Sequence, residues 1–202
     1  MGKKVSGKAK SVIAPKSTSV LRSSAIPLGL PSSSPGALGG TAPVWKTLPF
    51  AMQPQQQTEW CWAAVSVSVS FYYSSASTWT QCSLANDELG QTTCCLNGST
   101  VACNQPWYLD RALTRTSHLK AFAPGSILVA KVKAEIDADR PLGVRIGWSN
   151  GGGHFVVIDG YSNSDLLDIQ DPFWGSSTID YTLFLSSYQG SGSWTHSYWT
   201  QP

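Results

Sequence analysis

The sequence predicts an α+β domain: a helical half at residues 46–140 precedes an antiparallel sheet or barrel at residues 141–202, behind a leader of residues 1–45. Three observations carry this reading. Residues 60–75 form an apolar run without Gly or Pro, opening on Trp60-Cys61-Trp62-Ala63-Ala64. After Pro141 the chain breaks into short segments rich in β-branched and aromatic residues, separated by Gly, Ser and Asn. Before residue 45, Ser, Pro, Gly, Ala and Lys alternate with no helical or strand period.

The leader cannot bury enough apolar surface to offset the entropy of ordering it, so it is expected to be disordered, as a secretion signal or a propeptide. It has no apolar core of a classical signal peptide, because Pro15 and Lys16 interrupt Ser11–Leu21. Met1-Gly2-Lys3-Lys4-Val5-Ser6 formally fits a myristoylation pattern, but the match is short. The formal charge of +2 hides an asymmetry. Residues 1–58 hold seven basic residues and no acid, which leaves seven basic against twelve acidic residues beyond them. A basic tail on an acidic domain, without an aromatic-interleaved basic patch, excludes nucleic acid as the expected partner. No apolar run reaches membrane-spanning length.

The first helix is expected from Cys61 to about Ser75, capped by Thr58 or Glu59. Val65, Val67 and Val69 alternate with Ser, a strand-like period, but the length and the Ala-Ala start favour helix. Two further helices are expected over 106–117, opened by Pro106, and over 126–139, stopped before Pro141. Strands are expected in LGVRIGW (142–148), GHFVVIDGY (153–161), LLDIQD (166–171) and STIDYTLFL (177–185). No internal repeat is found.

Five cysteines divide into four and one. Cys82, Cys94, Cys95 and Cys103 cluster within 22 residues of polar sequence. A bond between adjacent Cys94 and Cys95 would be strained, so the pairings left open are 82–94 with 95–103, or 82–95 with 94–103. Zinc is the alternative, without the usual C-x2-C knuckle. Disulfides imply an oxidising environment at some stage. Cys61 is the odd thiol, at a helix start where unpaired N–H groups and the dipole favour a thiolate. Its plain reading is a small core residue.

A nucleophilic thiol needs a base. His118 and His196 read as packing or surface residues, whereas His154 follows Gly151-Gly152-Gly153 and opens a strand, so it can face a cleft. The base needs an orienting group in turn. With a hairpin loop of Ser162-Asn163-Ser164, strands 154–161 and 165–171 set His154 opposite Pro172, one register step from Asp171; a bulge would remove the mismatch. An oxyanion donor can come from Gln53, Gln55, Gln56 or Gln57, and spacing does not choose among them.

Gln55 six residues before Cys61-Trp62, an apolar helix, a Gly-preceded His154 on HFVVIDGY, and Asp171-Pro172-Phe173-Trp174-Gly175 together resemble the papain-like cysteine proteases, over roughly residues 50–190. The resemblance implies a two-subdomain fold with the active site in the cleft between a helical and a β half. It implies a triad of Cys61, His154 and Asp171, with Gln55 as oxyanion donor and with Trp62 and Trp174 lining the site. No Cys-Gly-Ser precedes Cys61 as it does in papain. The WCWAA core and the CC pair look closer to the avirulence-effector proteases that plant-associated bacteria export through a type III system. That likeness implies a secreted monomeric endopeptidase, acting on proteins of a host without metal or organic cofactor, and removing its own leader. The nearest match to such a cleavage site is Ala37-Leu38-Gly39-Gly40, with the cut between Gly39 and Gly40. An acyltransferase or transglutaminase-like enzyme on the same triad, or a noncatalytic Trp-rich binding module, would leave the same residues in place.

Overall fold

The structure is a computed structural model and describes residues 42–202; the expectations for the leader, including Gly39 and Gly40, lie outside the described residues. The chain runs β1 (Trp45–Thr47), α1 (Cys61–Tyr73), α2 (Gln81–Leu89), α3 (Leu109–Arg115), β2 (Leu119–Pro124), α4 (Val129–Asp137), β3 (Leu142–Trp148), β4 (Gly153–Ser162), β5 (Leu166–Asp171), β6 (Gly175–Asp180), α5 (Tyr181–Ser186) and β7 (Gly192–Thr200). The strands form one antiparallel sheet in the order β2-β7-β3-β4-β5-β6, with β1 added beside β4. Trp45, assigned above to the leader, opens β1 and pairs with Ser162.

Helix α1 is the buried centre of the helical side, with every residue from Cys61 to Ser70 out of solvent. A helix apolar all round sits inside a fold, not on its surface. Its Val-Ser alternation is compatible with helix because each hydroxyl finds a local partner. Ser66 Oγ donates to Trp62 O at 2.9 Å, Ser68 Oγ donates to Ala64 O at 2.7 Å, and Ser70 Oγ shares a hydrogen with Ser77 Oγ at 2.8 Å. The helix begins at Cys61 as the sequence indicates, but no side chain caps it. Of the two expected caps, Thr58 is engaged elsewhere, its Oγ1 accepting Asn104 Nδ2–H at 2.8 Å, while Asn104 Oδ1 accepts the Glu59 N–H at 3.0 Å.

Several elements depart from expectation. The expected helix at 106–117 shortens to α3, and the one at 126–139 to α4. Helix α2 was not foreseen: Thr80 and Ser83 form a reciprocal cap, and Gly90 closes the far end at φ 64°. The stretch STIDYTLFL is strand only to Asp180. There the Asp180 carboxylate accepts N–H groups from Thr182 and Leu183 and starts α5, so local capping overrides β-propensity. Strand β7 was also missed, yet it lies between β2 and β3. The division at residue 140 is therefore not clean: β2, from the first half, is an outer strand of the sheet. The four clustered cysteines pair as Cys82–Cys95 and Cys94–Cys103, which consumes the thiolates that a zinc site would need.

Candidate active site

Cys61 is the one free cysteine, buried at the first turn of α1. The preceding segment, Gln53 to Trp60, is irregular and is held by side chains from elsewhere. Gln81 accepts the Gln56 N–H and donates to Pro54 O, each at 2.9 Å. Trp60 Nε1 donates to Cys103 O at 2.7 Å, carrying the Cys94–Cys103 bridge to the residue before Cys61. Gly98 lies so close to Trp60 that a Cβ there would meet the indole at 2.8 Å.

His154 and Asp171 come from neighbouring strands. The β4–β5 loop is Asn163-Ser164-Asp165, one residue later than expected. The register also shifts between Ile158 and Gly160, where a bulge interrupts the ladder. Beyond the bulge, Ile158 faces Ile169 and Val157 faces Gln170; continuing that register sets Asp171 opposite Val156. Asp171 thus shares the face of His154 as a diagonal neighbour, not as its direct partner, a separation that these two side chains can bridge. His154 Nε2–H donates to Asp171 Oδ1 at 2.8 Å, with both side chains buried. That leaves Nδ1 as the ring nitrogen open to Cys61, whose proximity is felt in the His154 pKa.

Burial alone would lower the His154 pKa. The Asp171 hydrogen bond, followed by the influence of Cys61, outweighs it and lifts the value to about 9. The Asp171 carboxyl is held below its ordinary range despite burial, which acts the other way, by His154, the Trp174 N–H and Tyr188. Its Oδ1 accepts N–H groups of Phe173 at 2.7 Å and Trp174 at 3.0 Å. Its Oδ2 accepts the Tyr188 hydroxyl at 2.7 Å. An ionised carboxylate with these donors fixes the imidazole's tautomer and plane.

Two indoles flank the imidazole. Trp148 stacks beside it at 6.3 Å between centroids, and Trp174 meets it edge-on at 5.2 Å. Trp174 is about half exposed. Trp62 does not line the site. It is wholly buried and donates Nε1–H to Gln105 O at 3.0 Å, because side chains one step apart on a helix point about 100° away from each other. Gln55 is beside the site, its N–H donating to Pro172 O at 2.9 Å, just past Asp171. Its side-chain amide faces its own loop, with Nε2 at 2.9 Å from both Gln57 O and Thr58 O, and its buried Oε1 has no partner. His118 is buried against Tyr73 and bonded to Gln201 O, and His196 pairs with Thr195, so both remain packing residues.

Tyr188, Trp148, Asn104 and Gln81 were not anticipated. Trp148 ends its strand just before the glycine loop, which is a usable signal; nothing local marks the other three.

A buried thiol at an uncapped helix start, facing an imidazole that a carboxylate holds from behind, is an arrangement suited to acyl chemistry on cysteine. The family model described as papain-like cysteine protease AvrRpt2 (Peptidase_C70) matches residues 43–189, well over half of the chain. The chain belongs to that family and is a papain-like cysteine protease. Among solved structures it is similar to the Pseudomonas avirulence protein AvrPphB, at 10% identity, covering 76% of this chain and 98% of that one, with a TM-score of 0.36. A search of curated proteins gives no match.

Proposed function

We propose that the protein is an endopeptidase working through Cys61, His154 and Asp171, with substrate lying in a cleft between the start of α1 and the β4–β5 edge. The observation that carries this reading is the imidazole of His154, hydrogen-bonded to Asp171 Oδ1 at 2.8 Å and raised in pKa by both Asp171 and Cys61. The Cys61 thiolate attacks the scissile carbonyl carbon, and a C–S bond forms as the carbonyl π pair moves to oxygen. The imidazolium of His154 gives its Nδ1 proton to the amine as the C–N bond breaks, leaving a thioester. Water then attacks, His154 takes its proton, and the thiolate leaves. Asp171 remains ionised throughout and holds the imidazole. The developing oxyanion is met by the open N–H groups of the first turn of α1 and by Gln55, once one of its N–H groups turns from the Gln57 and Thr58 carbonyls into the cleft.

Protein substrates follow from the peptidase family. The avirulence proteins it resembles support a secreted effector, exported and acting on proteins of a host, and trimming its own leader near Gly39 and Gly40. Identification of new N-termini across a proteome, after treatment with parent and Cys61→Ala protein, tests activity and self-processing together. Cleavages made by the parent alone, with the variant still folded, are the expected result. The same cleavages from Cys61→Ala would remove the assignment.

A further inference from the structure

The triad accounts for only one side of the Asp171 carboxylate. Oδ1 accepts His154 Nε2–H and two backbone N–H groups, whereas the hydroxyl of Tyr188 is the one partner found for Oδ2. Tyr188 lies outside every motif that points to the site, in the turn between α5 and β7, and is almost wholly buried. Its place is over-determined. The turn closes on itself through Tyr188 N–H to Gly192 O at 2.9 Å and Gly192 N–H to Tyr188 O at 2.8 Å. Gln189 and Gly190 take positive φ, 48° and 83°, to make that closure. Gly192 is required by space: a Cβ there would collide with Ile146 Cγ2 and come within 2.6 Å of Trp148 and 2.9 Å of Tyr188 O. The phenol ring is held edge-on by Phe184 at 5.3 Å. The same glycine therefore packs against both the indole flanking His154 and the tyrosine behind Asp171.

We propose that Tyr188 is a positioning residue of the protease, a fourth member of the relay whose hydroxyl fixes the second oxygen of Asp171 and keeps that carboxylate ionised and aimed at His154. This rests on the endopeptidase reading above. A phenol donor stabilises the charged carboxylate; without it a buried oxygen loses its partner and the carboxyl takes up a proton more readily. The titratable groups facing the relay are His154 from β4 and Tyr188 from the α5–β7 turn against Asp171, and Cys61 from α1 against His154. The phenol itself does not ionise in the working range, since burial and then the Asp171 charge push its pKa well above the ordinary value.

The test is Tyr188→Phe, which keeps the ring and removes one hydroxyl, measured on a cleavable peptide across pH in the full chain, alone and combined with Asp171→Asn. The expected result is a kcat about tenfold lower with KM unchanged, and an acid limb of kcat/KM raised by about one pH unit and steepened by a second proton. In the Asp171→Asn background the same change should have no further effect on kcat. An acid limb that superimposes on that of the parent overturns the proposal. So does a loss that repeats in full in the Asp171→Asn background, or a chain that fails to fold without that hydroxyl, either of which makes the residue structural. Absence of Cys61-dependent cleavage in the parent would instead sink the endopeptidase reading itself.

Discussion

The two flanks of the site are held by different means. On the sheet side, His154 and Asp171 stand on adjacent antiparallel strands, and a hydrogen-bonded ladder with one bulge sets their spacing. On the Cys61 side, the preceding chain has no regular structure of its own from Gln53 to Trp60. Gln81, Asn104 and the Cys103 carbonyl hold it instead, from a segment that two disulfides staple together. A ladder distributes its strength over many equivalent bonds, whereas a handful of side-chain bonds concentrates it in a few residues. The Cys61 flank should therefore be the easier of the two to break.

The largest effect on that contrast is expected from Cys94→Ser with Cys103→Ser. Losing a bridge of this loop length costs about 2–4 kcal/mol of stability, and it frees the carbonyl that holds Trp60. Thermal unfolding should move down, and kcat/KM on a peptide should fall by about tenfold or more, while the pH dependence set by His154 and Asp171 keeps its position. Equal activity in the double variant would show that the Cys61 flank does not depend on the staple.

A smaller effect should come from the sheet flank on titration. The His154 pKa is raised from 6.5 to about 9. The charged imidazole's contribution to stability is therefore fully present below about pH 6.5 and is lost as pH rises through about 9. Activity that needs the imidazolium should decline over the same alkaline range. A pH profile of kcat/KM whose alkaline limb lies near 6.5 would mean that Asp171 does not hold the imidazole in solution.

The same contrast explains what could be read from the amino-acid order. The start of α1 at Cys61 was legible from an uninterrupted apolar run. His154 and Asp171 were brought to within a register step by hairpin arithmetic, because ladder geometry is local and periodic. The bulge beside Asp159 was not legible, and it is what makes the pair diagonal. Helix α5 was hidden at the end of a stretch that reads as strand, its one signal being Asp180 as a cap. Tyr188, Asn104 and Gln81 act across long sequence separations through single hydrogen bonds, and no spacing rule reports those. Trp62 shows the opposite error: a motif position beside Cys61 was read as lining the site, when the turn of the helix carries it into the core.

Cys61, alone among the cysteines, is expected to be made reactive by His154. Intact-mass and peptide mapping after treatment with a thiol-directed epoxide, on the parent and on His154→Ala, tests it most directly. One adduct, on Cys61, is expected in the parent, with a labelling rate at least about a hundredfold lower in His154→Ala. An adduct on Cys82, Cys94, Cys95 or Cys103 with Cys61 untouched, or equal labelling in both proteins, would contradict it.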